Sequence, residues 1–256
     1  MIIKKQWILT VACITALYSP LSAALVAYYS FDEDFTDGSG NGNDLTAVQS
    51  GGATVGISNT TGEFVFGGGA ANFSSTTSNA AFLELETTIS FGAAEAWSVA
   101  FWVRRAAGSD NRQGMVLGQE GNATDFFWAS DNAAQVQGMR FRSAENTNAD
   151  FGGHPDDGDF HHWVLISDGA GTISAYRDNV QQTDASSNGS INITTIGHAF
   201  NQVIHSMNGQ IDELYIFDDA IDSAVVESLF TSNVIPEPST LALVGLVGLL
   251  VLRRKR

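Results

Sequence analysis

Two residue types are scarce in this chain of 256 residues, and their scarcity limits what the protein does. Cysteine occurs once, as Cys13, so the chain forms no intramolecular disulfide and contains no Cys/His spacing for zinc. Lysine is absent from residues 25–235. This range contains six arginines and 27 of the chain's 28 acidic residues, so its net charge is −21. The negative electrostatic field of this part of the chain does not attract nucleic acid or an anionic membrane. The sequence therefore predicts no nucleic-acid partner.

Motifs of nucleophilic and phosphate chemistry are also missing. No Gly-x-Ser-x-Gly occurs, and Gly67-Gly68-Gly69 lacks the lysine of a phosphate-binding loop. Hydrophobic residues are abundant, at 44% of the chain, and include 16 Phe and 5 Trp. This content supports a packed core, and about 210 residues suit one all-β domain.

The N-terminus has the parts of a secretory signal peptide. Lys4-Lys5 precedes an apolar run over residues 7–17, and small residues lead up to Ala24. We expect export through the Sec machinery and cleavage after Ala24, with Ala23 as the alternative cleavage point. Acylation of Cys13 as a lipoprotein is a further alternative, which the short apolar stretch before it disfavours. The signal peptide thus covers the first 24 residues.

The C-terminus also has three parts. Pro236-Glu237-Pro238 is followed by the apolar run Leu241–Leu252, and Arg253-Arg254-Lys255-Arg256 closes the chain. A helix of this length spans about 18 Å, against a hydrocarbon core of roughly 30 Å. We predict a short transmembrane helix over residues 239–252 that is marginal as a permanent anchor, with the cations on the cytoplasmic side.

These three parts, in this order over residues 235–256, resemble the PEP-CTERM sorting signal of Gram-negative bacteria. The resemblance implies that a membrane exosortase recognises Pro236, Glu237 and Pro238, processes the tail and passes the protein to the exterior. Association with the inner membrane would then be transient. An ordinary tail anchor is the alternative, and it explains the apolar run and Arg253-Arg254 but not the Pro-Glu-Pro motif.

Residues 25–230 show the two-residue alternation of β-strands, separated by loops rich in Gly, Asn, Asp and Ser. Many short strands of this kind favour an all-β sandwich of two antiparallel sheets over a βαβ fold. One helical turn is predicted near Asp222–Phe230, with Asp222 as N-cap, and residues 231–235 are predicted to be a tether. The predicted strands are Val26–Phe31, Glu63–Phe66, Ala70–Ser74, Phe82–Glu86, Trp97–Arg104, Met115–Leu117, Phe126–Ala129, Gly138–Arg142, Phe160–Ile166, Ile173–Tyr176 and Gln210–Phe217.

An ordered set of segments within this body carries a family resemblance. The segments are Leu25–Asp32, Asp37–Leu45, Gly68–Phe73, Trp97–Val103, Phe160–Val164, Tyr176–Val180 and Gly209–Phe217. In this order they resemble the bacterial laminin-G-like domains of the concanavalin A-like superfamily, which implies a jelly roll. Asn179 stands where the family usually has glycine, but asparagine tolerates the left-handed backbone conformation of such a turn.

Oxygen-bearing side chains are densest between Asp32 and Asp44. Calcium is bound by about six to eight oxygens in loose geometry. In the resembling family, calcium often joins the first strand to the last, which implies Asp32, Asp212 and Asn43 as ligands of a structural ion. The alternative is that these are solvated turn residues that form Asx-turns and caps.

Two pairs of adjacent residues suggest catalysis or metal binding but do not fit it. A retaining glycosidase needs two carboxylates about 5 Å apart that face one cleft. Adjacent strand residues point to opposite faces, so we predict that Asp212 and Glu213 diverge and that His161 and His162 do not share one metal ion. We expect no catalytic residue. A hydrolase or lyase with acids from different strands is the alternative.

A second group of residues suits carbohydrate. Trp128 lies between polar stretches, and sugar rings stack on aromatic faces. Arg140 and Arg142 share one face of a predicted strand and suit an acidic glycan through bidentate pairing. The alternatives are that Trp128 packs in the core and that the arginines offset the surplus of negative charge.

Together these features predict an exported protein of the cell surface or extracellular matrix. Its jelly roll is predicted to bind an extracellular polysaccharide or another surface partner. A carbohydrate-active enzyme on the same scaffold is one alternative, and a structural protein without a specific ligand is the other.

The sorting hypothesis predicts the termini of the exported protein. Mass spectrometry of the surface form should place its N-terminus at Ala24 or Leu25 and should find the basic end removed. A surface form that retains Arg256 would contradict processing of the tail.

Overall fold

The structure is a computed structural model that describes residues 23–110, 112–130, 138–152, 157–200 and 202–236. Nearly all of the predicted signal peptide and the whole predicted helix over residues 239–252 lie outside these ranges. The sorting residues Glu237, Pro238, Arg253 and Arg254 also lie outside them. In the described ranges, no helix is long and apolar enough to span a bilayer.

Short strands separated by turns make up most of the described chain, with one 3₁₀ turn at Val203–His205 and one α-helix, α1, at Ser223–Ser232. The strands are β1 Leu25–Tyr29, β2 Leu45–Gln49, β3 Thr54–Ser58, β4 Ala70–Ser74, β5 Ala81–Phe91, β6 Ala96–Arg105, β7 Met115–Gly118, β8 Phe126–Ser130, β9 Gly138–Arg142, β10 Asn148–Gly152, β11 His161–Asp168, β12 Thr172–Arg177, β13 Val180–Gln181, β14 Ala185–Ser186, β15 Ile191–Ile196 and β16 Asn208–Phe217.

The strands pair in two antiparallel sheets. The nine-stranded sheet follows the order β13-β12-β11-β6-β16-β4-β3, with β1 beside β16 and β14 beside β12. The seven-stranded sheet follows the order β10-β9-β8-β7-β15-β5-β2. Strands that are distant in sequence lie side by side, as in a jelly roll. The predicted fold class is confirmed.

An aromatic cluster joins the two sheets. Trp97 of β6 lies 5.7 Å from Phe127 of β8 and 5.3 Å from Phe141 of β9, measured between ring centroids. All three side chains are fully buried, and Trp97 Nε1 donates a hydrogen bond to the Gly189 carbonyl at 2.6 Å. The sandwich therefore has one continuous core between its sheets.

The outer face of the nine-stranded sheet is covered by α1. The side chain of Asp222 accepts hydrogen bonds from the backbone N–H groups of Ala224 at 2.9 Å and Val225 at 3.0 Å, so Asp222 is the N-cap as predicted. Val226 and Leu229 are buried against the sheet.

The packed domain continues beyond Phe230, which corrects the predicted start of the tether. Residues 231–232 belong to α1, and Asn233 ends the helix in the left-handed conformation with φ 54°. Ile235 packs against the same hydrophobic cluster as the helix. Apolar contacts with the sheet hold this segment. The sequence of residues 231–235 is short and largely polar, so it did not indicate these contacts.

The predicted strand Glu63–Phe66 is wrong, because this segment forms a turn. The backbone N–H groups of Val65 and Phe66 donate to Asp212 Oδ2 at 2.7 and 3.3 Å instead of to a neighbouring strand. Strands β2, β3, β10, β13, β14 and β15 were not predicted. The left-handed conformation expected at Asn179 is present, with φ 63°.

The helix cap generates a stability prediction. Asp222→Ala removes both side-chain hydrogen bonds and should lower the free energy of unfolding by about 1 kcal/mol. Urea denaturation of the exported domain measures this change. Glu227→Ala, on the exposed side of the same helix, is the control and should change stability much less. Equal losses for the two variants would contradict a specific cap.

Candidate functional site

A pocket with a volume of about 140 Å³ opens on the outer face of the seven-stranded sheet. Strands β7, β8 and β9 form its floor, and the segment between β15 and β16 forms a wall. Its lining residues are Met115, Phe126, Trp128, Arg140, Arg142, Phe200, Gln202 and His205.

Strand register brings the predicted ligand residues together. In the antiparallel pair of β8 and β9, Trp128 lies opposite Arg140 and Phe126 lies opposite Arg142. Because successive side chains alternate between faces, these four point outward while Phe127 points into the core. All three residues predicted for carbohydrate, namely Trp128, Arg140 and Arg142, therefore line one pocket.

Trp128 nevertheless does not present a stacking face to solvent. Its residue is only 3% exposed, and its Nε1 donates to the Arg112 carbonyl at 3.0 Å. The ring of His205 meets it edge-on, with 5.0 Å between centroids. Trp128 is part of the pocket floor, which corrects the prediction that it stacks on sugar from an exposed position.

The two arginines differ in their partners. Arg140 forms a bidentate ion pair with Asp150, with Nε and Nη2 at 2.6 and 2.9 Å from the two carboxylate oxygens. Arg142 donates through Nη2 to the side chain of Asn146, while its Nε is buried without a hydrogen-bond partner. Burial lowers the pKa of Arg142, and the neighbouring Arg140 cation adds to this effect. The Arg142 guanidinium lies 6.0 Å from the centre of the Phe126 ring.

Phe200 is the aromatic residue that the sequence analysis missed. It is partly exposed and packs edge-on against Phe126 and His205, with centroids 5.7 and 5.1 Å apart. Its φ is 71°, a conformation that bulky residues rarely adopt. Backbone hydrogen bonds to Gln119 and from Gly121, both 3.2 Å, hold it there. No local sequence pattern marks such a residue, because its position depends on contacts with a distant loop.

Two of the three predicted calcium ligands meet at one turn. Asp32 accepts a hydrogen bond from the backbone of Gly68, and Asp212 accepts from Val65 and Phe66. Asp212 is fully buried and its Oδ1 has no hydrogen-bond partner. Burial raises its pKa to about 7, against the effect of those backbone donors. A buried, unpartnered carboxylate oxygen is suited to a cation, and calcium binding by Asp32 and Asp212 stays a prediction.

Asn43 lies in a different loop, which corrects its grouping with the other two. Its backbone N–H donates to Asp37 Oδ2 at 3.0 Å, and its side chain donates to the Val26 carbonyl at 2.9 Å. Asp37 also accepts from the backbone of Tyr28 and Ser39 at 3.0 and 2.9 Å. Hydrogen bonds alone explain this loop. Within the described ranges, no group of three or more His, Cys, Asp or Glu side chains is placed to hold a metal.

Asp212 and Glu213 do not diverge as predicted. The register of β16 against β6 shifts between Asp212 and Tyr215, and Glu213 has φ 51°. This β-bulge turns both carboxylates to the outer face, where Tyr28 Oη donates to Glu213 Oε2 at 2.7 Å. Glu213 contributes to the raised pKa of Asp212. Both residues are buried, at 0% and 2% exposure, so neither carboxylate faces an open cleft.

The two histidines are separated by the strand, as expected from their spacing. His162 packs under α1 between Trp102 and Phe230, and burial lowers its pKa to about 3. His161 Nδ1 lies 2.8 Å from Asp178 Oδ2.

The chain belongs to the concanavalin A-like lectin/glucanases superfamily, whose Laminin_G_3 profile matches residues 76–227. Residues 234–256 match the PEP-CTERM protein-sorting motif, which marks an exported, envelope-sorted protein. Both resemblances inferred from the sequence are confirmed. A comparison with curated proteins finds no match.

Solved structures with this fold include carbohydrate-binding and toxin domains. Domain 4 of AbnA, a GH43 extracellular arabinanase from Geobacillus stearothermophilus, was solved in complex with arabinotriose. It is 18% identical over 82% of this chain and 99% of that one, with a TM-score of 0.61.

The binding domain of Paraclostridial Mosquitocidal Protein 1 is 15% identical, with a TM-score of 0.55. The binding domain of botulinum neurotoxin DC in complex with SialylT is 13% identical, with a TM-score of 0.52. The match covers 82% of this chain and about half of each toxin chain, at 52% and 51%. At these identities the likeness shows the fold alone.

Calcium binding stays a prediction, now centred on Asp32 and Asp212. Calcium should raise the melting temperature of the mature protein and EGTA should lower it, because a ligand of the folded state stabilises that state. Asp212→Asn should abolish the calcium-dependent shift. Asn43→Ser is the control and should retain it, whatever its own melting temperature. A wild-type melting temperature that EGTA does not change would contradict the site.

Proposed function

We propose that this exported protein binds carbohydrate of the cell surface or extracellular matrix in the pocket on the seven-stranded sheet. The observation that carries the proposal is the convergence of aromatic rings and polar groups in one cavity. Phe200 offers a partly exposed ring, and Arg142 and His205 each have a ring or guanidinium nitrogen without a partner. Sugars need both kinds of contact, since they have apolar ring faces and hydroxyl edges.

The dimensions favour one sugar unit over a long chain. The pocket volume of about 140 Å³ is well below the roughly 300 Å³ at which drug-sized sites begin. A shallow site on a sheet face suits the end or a side branch of a polymer. The solved complexes with arabinotriose and SialylT support the proposal, because domains of this fold hold ligands described as saccharides or sialylated.

The enzyme alternative has one observation in its favour, which is the bulge that places Asp212 and Glu213 on the same face. Burial of both residues and the hydrogen bond from Tyr28 weigh against it, because a glycosidic bond must reach the carboxylates. We therefore favour binding without hydrolysis.

Affinity electrophoresis of the mature protein through gels that contain bacterial and algal polysaccharides tests the proposal. One class of polymer should retard the protein. Phe200→Asn should weaken binding about tenfold, or ~1.4 kcal/mol, because it removes the ring while asparagine tolerates the left-handed backbone. Val180→Ala, on the exposed edge of the other sheet, should bind like the wild type.

Two results would contradict the proposal. Absence of retardation in every gel would remove the case for a carbohydrate ligand and favour a structural role. Breakdown of the retarding polymer would establish the enzyme alternative instead.

A further inference from the structure

Among the described residues that line the pocket, Arg142 is the charged residue without an ion-pair partner. Arg140 and Asp150 neutralise each other through two parallel hydrogen bonds. Arg142 pairs only with the neutral side chain of Asn146 among the contacts that the structure describes. In a body with a net charge of −21, acidic partners for an arginine are abundant. Within the described part of the chain, Arg142 nevertheless has no acidic partner in this concave site.

One nitrogen of the Arg142 guanidinium group, Nε, is not satisfied by a hydrogen bond. It is buried and has no acceptor. A buried donor without a partner costs about 1–3 kcal/mol, and more when it is charged. Guanidinium N–H groups bind carboxylate and related oxyanions more strongly than neutral oxygens, because the hydrogen bond is charge-assisted. Since Arg142 lines the pocket, its guanidinium group gives the site a cation that suits an anion.

His205 supplies a complementary group on the opposite wall. Burial lowers the pKa of His205 below its ordinary value, so the imidazole is neutral at pH 7. The Nδ1 of this ring is buried without a hydrogen-bond partner. In the tautomer with the proton on Nε2, Nδ1 has a lone pair that accepts a hydrogen bond from a hydroxyl group.

We propose that the sugar bound here is acidic, with its oxyanion on Arg142, a hydroxyl donating to His205 and a ring face against Phe200. This inference rests on the proposed carbohydrate function and specifies its ligand class. Uronic and sialic-type sugars combine a carboxylate, hydroxyls and an apolar ring face in one unit. Sulfated sugars present the same anion chemistry. The repulsive field of the acidic body is screened beyond about 8 Å at 0.15 M salt, so the local contact governs binding there.

Isothermal titration calorimetry of the mature protein at 0.15 M salt tests the inference. The probes are oligomers of galacturonate, mannuronate and guluronate, their carboxyl methyl esters, and sulfated galactan oligomers. The acidic form should bind at least tenfold more tightly than its ester, in which a methyl group removes the charge of the carboxylate. A preference for the sulfated oligomers would identify sulfate as the anion.

Variants of Arg142 locate the effect. Arg142→Gln should reduce affinity for the acidic oligomer at least tenfold and affinity for the ester by much less. Arg142→Lys keeps the charge but lacks the Nε donor, and should recover only part of the affinity. Arg177→Gln removes the same charge from the other sheet and should bind like the wild type. Loss of binding to acid and ester alike in Arg142→Gln would indicate structural damage and overturn the assigned role.

The outcomes separate the two proposals. Equal affinity for acid and ester in the wild type would overturn the acidic-sugar inference while carbohydrate binding stands. Binding confined to neutral polysaccharides, with dependence on Phe200, would do the same. Absence of binding to every acidic, esterified, sulfated and neutral polymer would overturn both.

Discussion

The contact of Trp97 with Phe127 and Phe141 is the interaction on which the functional site depends. These rings come from both sheets and are fully buried between them. Once Phe127 and Phe141 point inward, the two-residue period of a strand turns their neighbours Phe126 and Arg142 outward. A slip of one residue in β9 would place an arginine in the core and Phe141 in solvent. The free energy that packs the sandwich therefore also selects which residues line the pocket.

The alternation of side chains between the two faces is interrupted in β16, which has an extra residue relative to β6 between Asp212 and Tyr215. Alternation predicts that Asp212 and Glu213 diverge, yet the bulge directs both to the outer face. Side-chain hydrogen bonds accompany this geometry, since Asp212 holds the backbone of the 65–68 turn and Glu213 receives Tyr28. The turn was predicted as a strand for a related reason, because its N–H groups are satisfied by a carboxylate from a segment far away in sequence. Both errors involve Asp212, whose hydrogen bonds join segments that are far apart in the sequence.

Local sequence was sufficient where local physics decides the structure. The alternating runs of β6, β8, β9 and β16, the Asp222 cap and the turn at Asn179 were all predicted, because each depends on a few adjacent residues. Three residues that line the pocket, Trp128, Arg140 and Arg142, were named from the sequence as candidates for carbohydrate. The ion pair of Arg140 with Asp150 and the contribution of Phe200 were not predicted, because the first depends on the pairing of β9 with β10 and the second on a loop that follows β15. Register and loop docking are properties of the whole fold.

Helix α1 and the pocket lie on opposite outer faces of the sandwich. Helix α1 and Ile235 pack on the outer face of the nine-stranded sheet, and the Pro-Glu-Pro motif begins directly afterwards in the sequence. The pocket opens on the outer face of the seven-stranded sheet, across the full thickness of the sandwich. The helix ends at Ser232 and Asn233 caps it, so the last element of the described domain is complete before the Pro-Glu-Pro motif. Within the described domain, the contacts that position Arg142 and Phe200 come from β8, β9 and the 119–121 loop, and none of them involves α1.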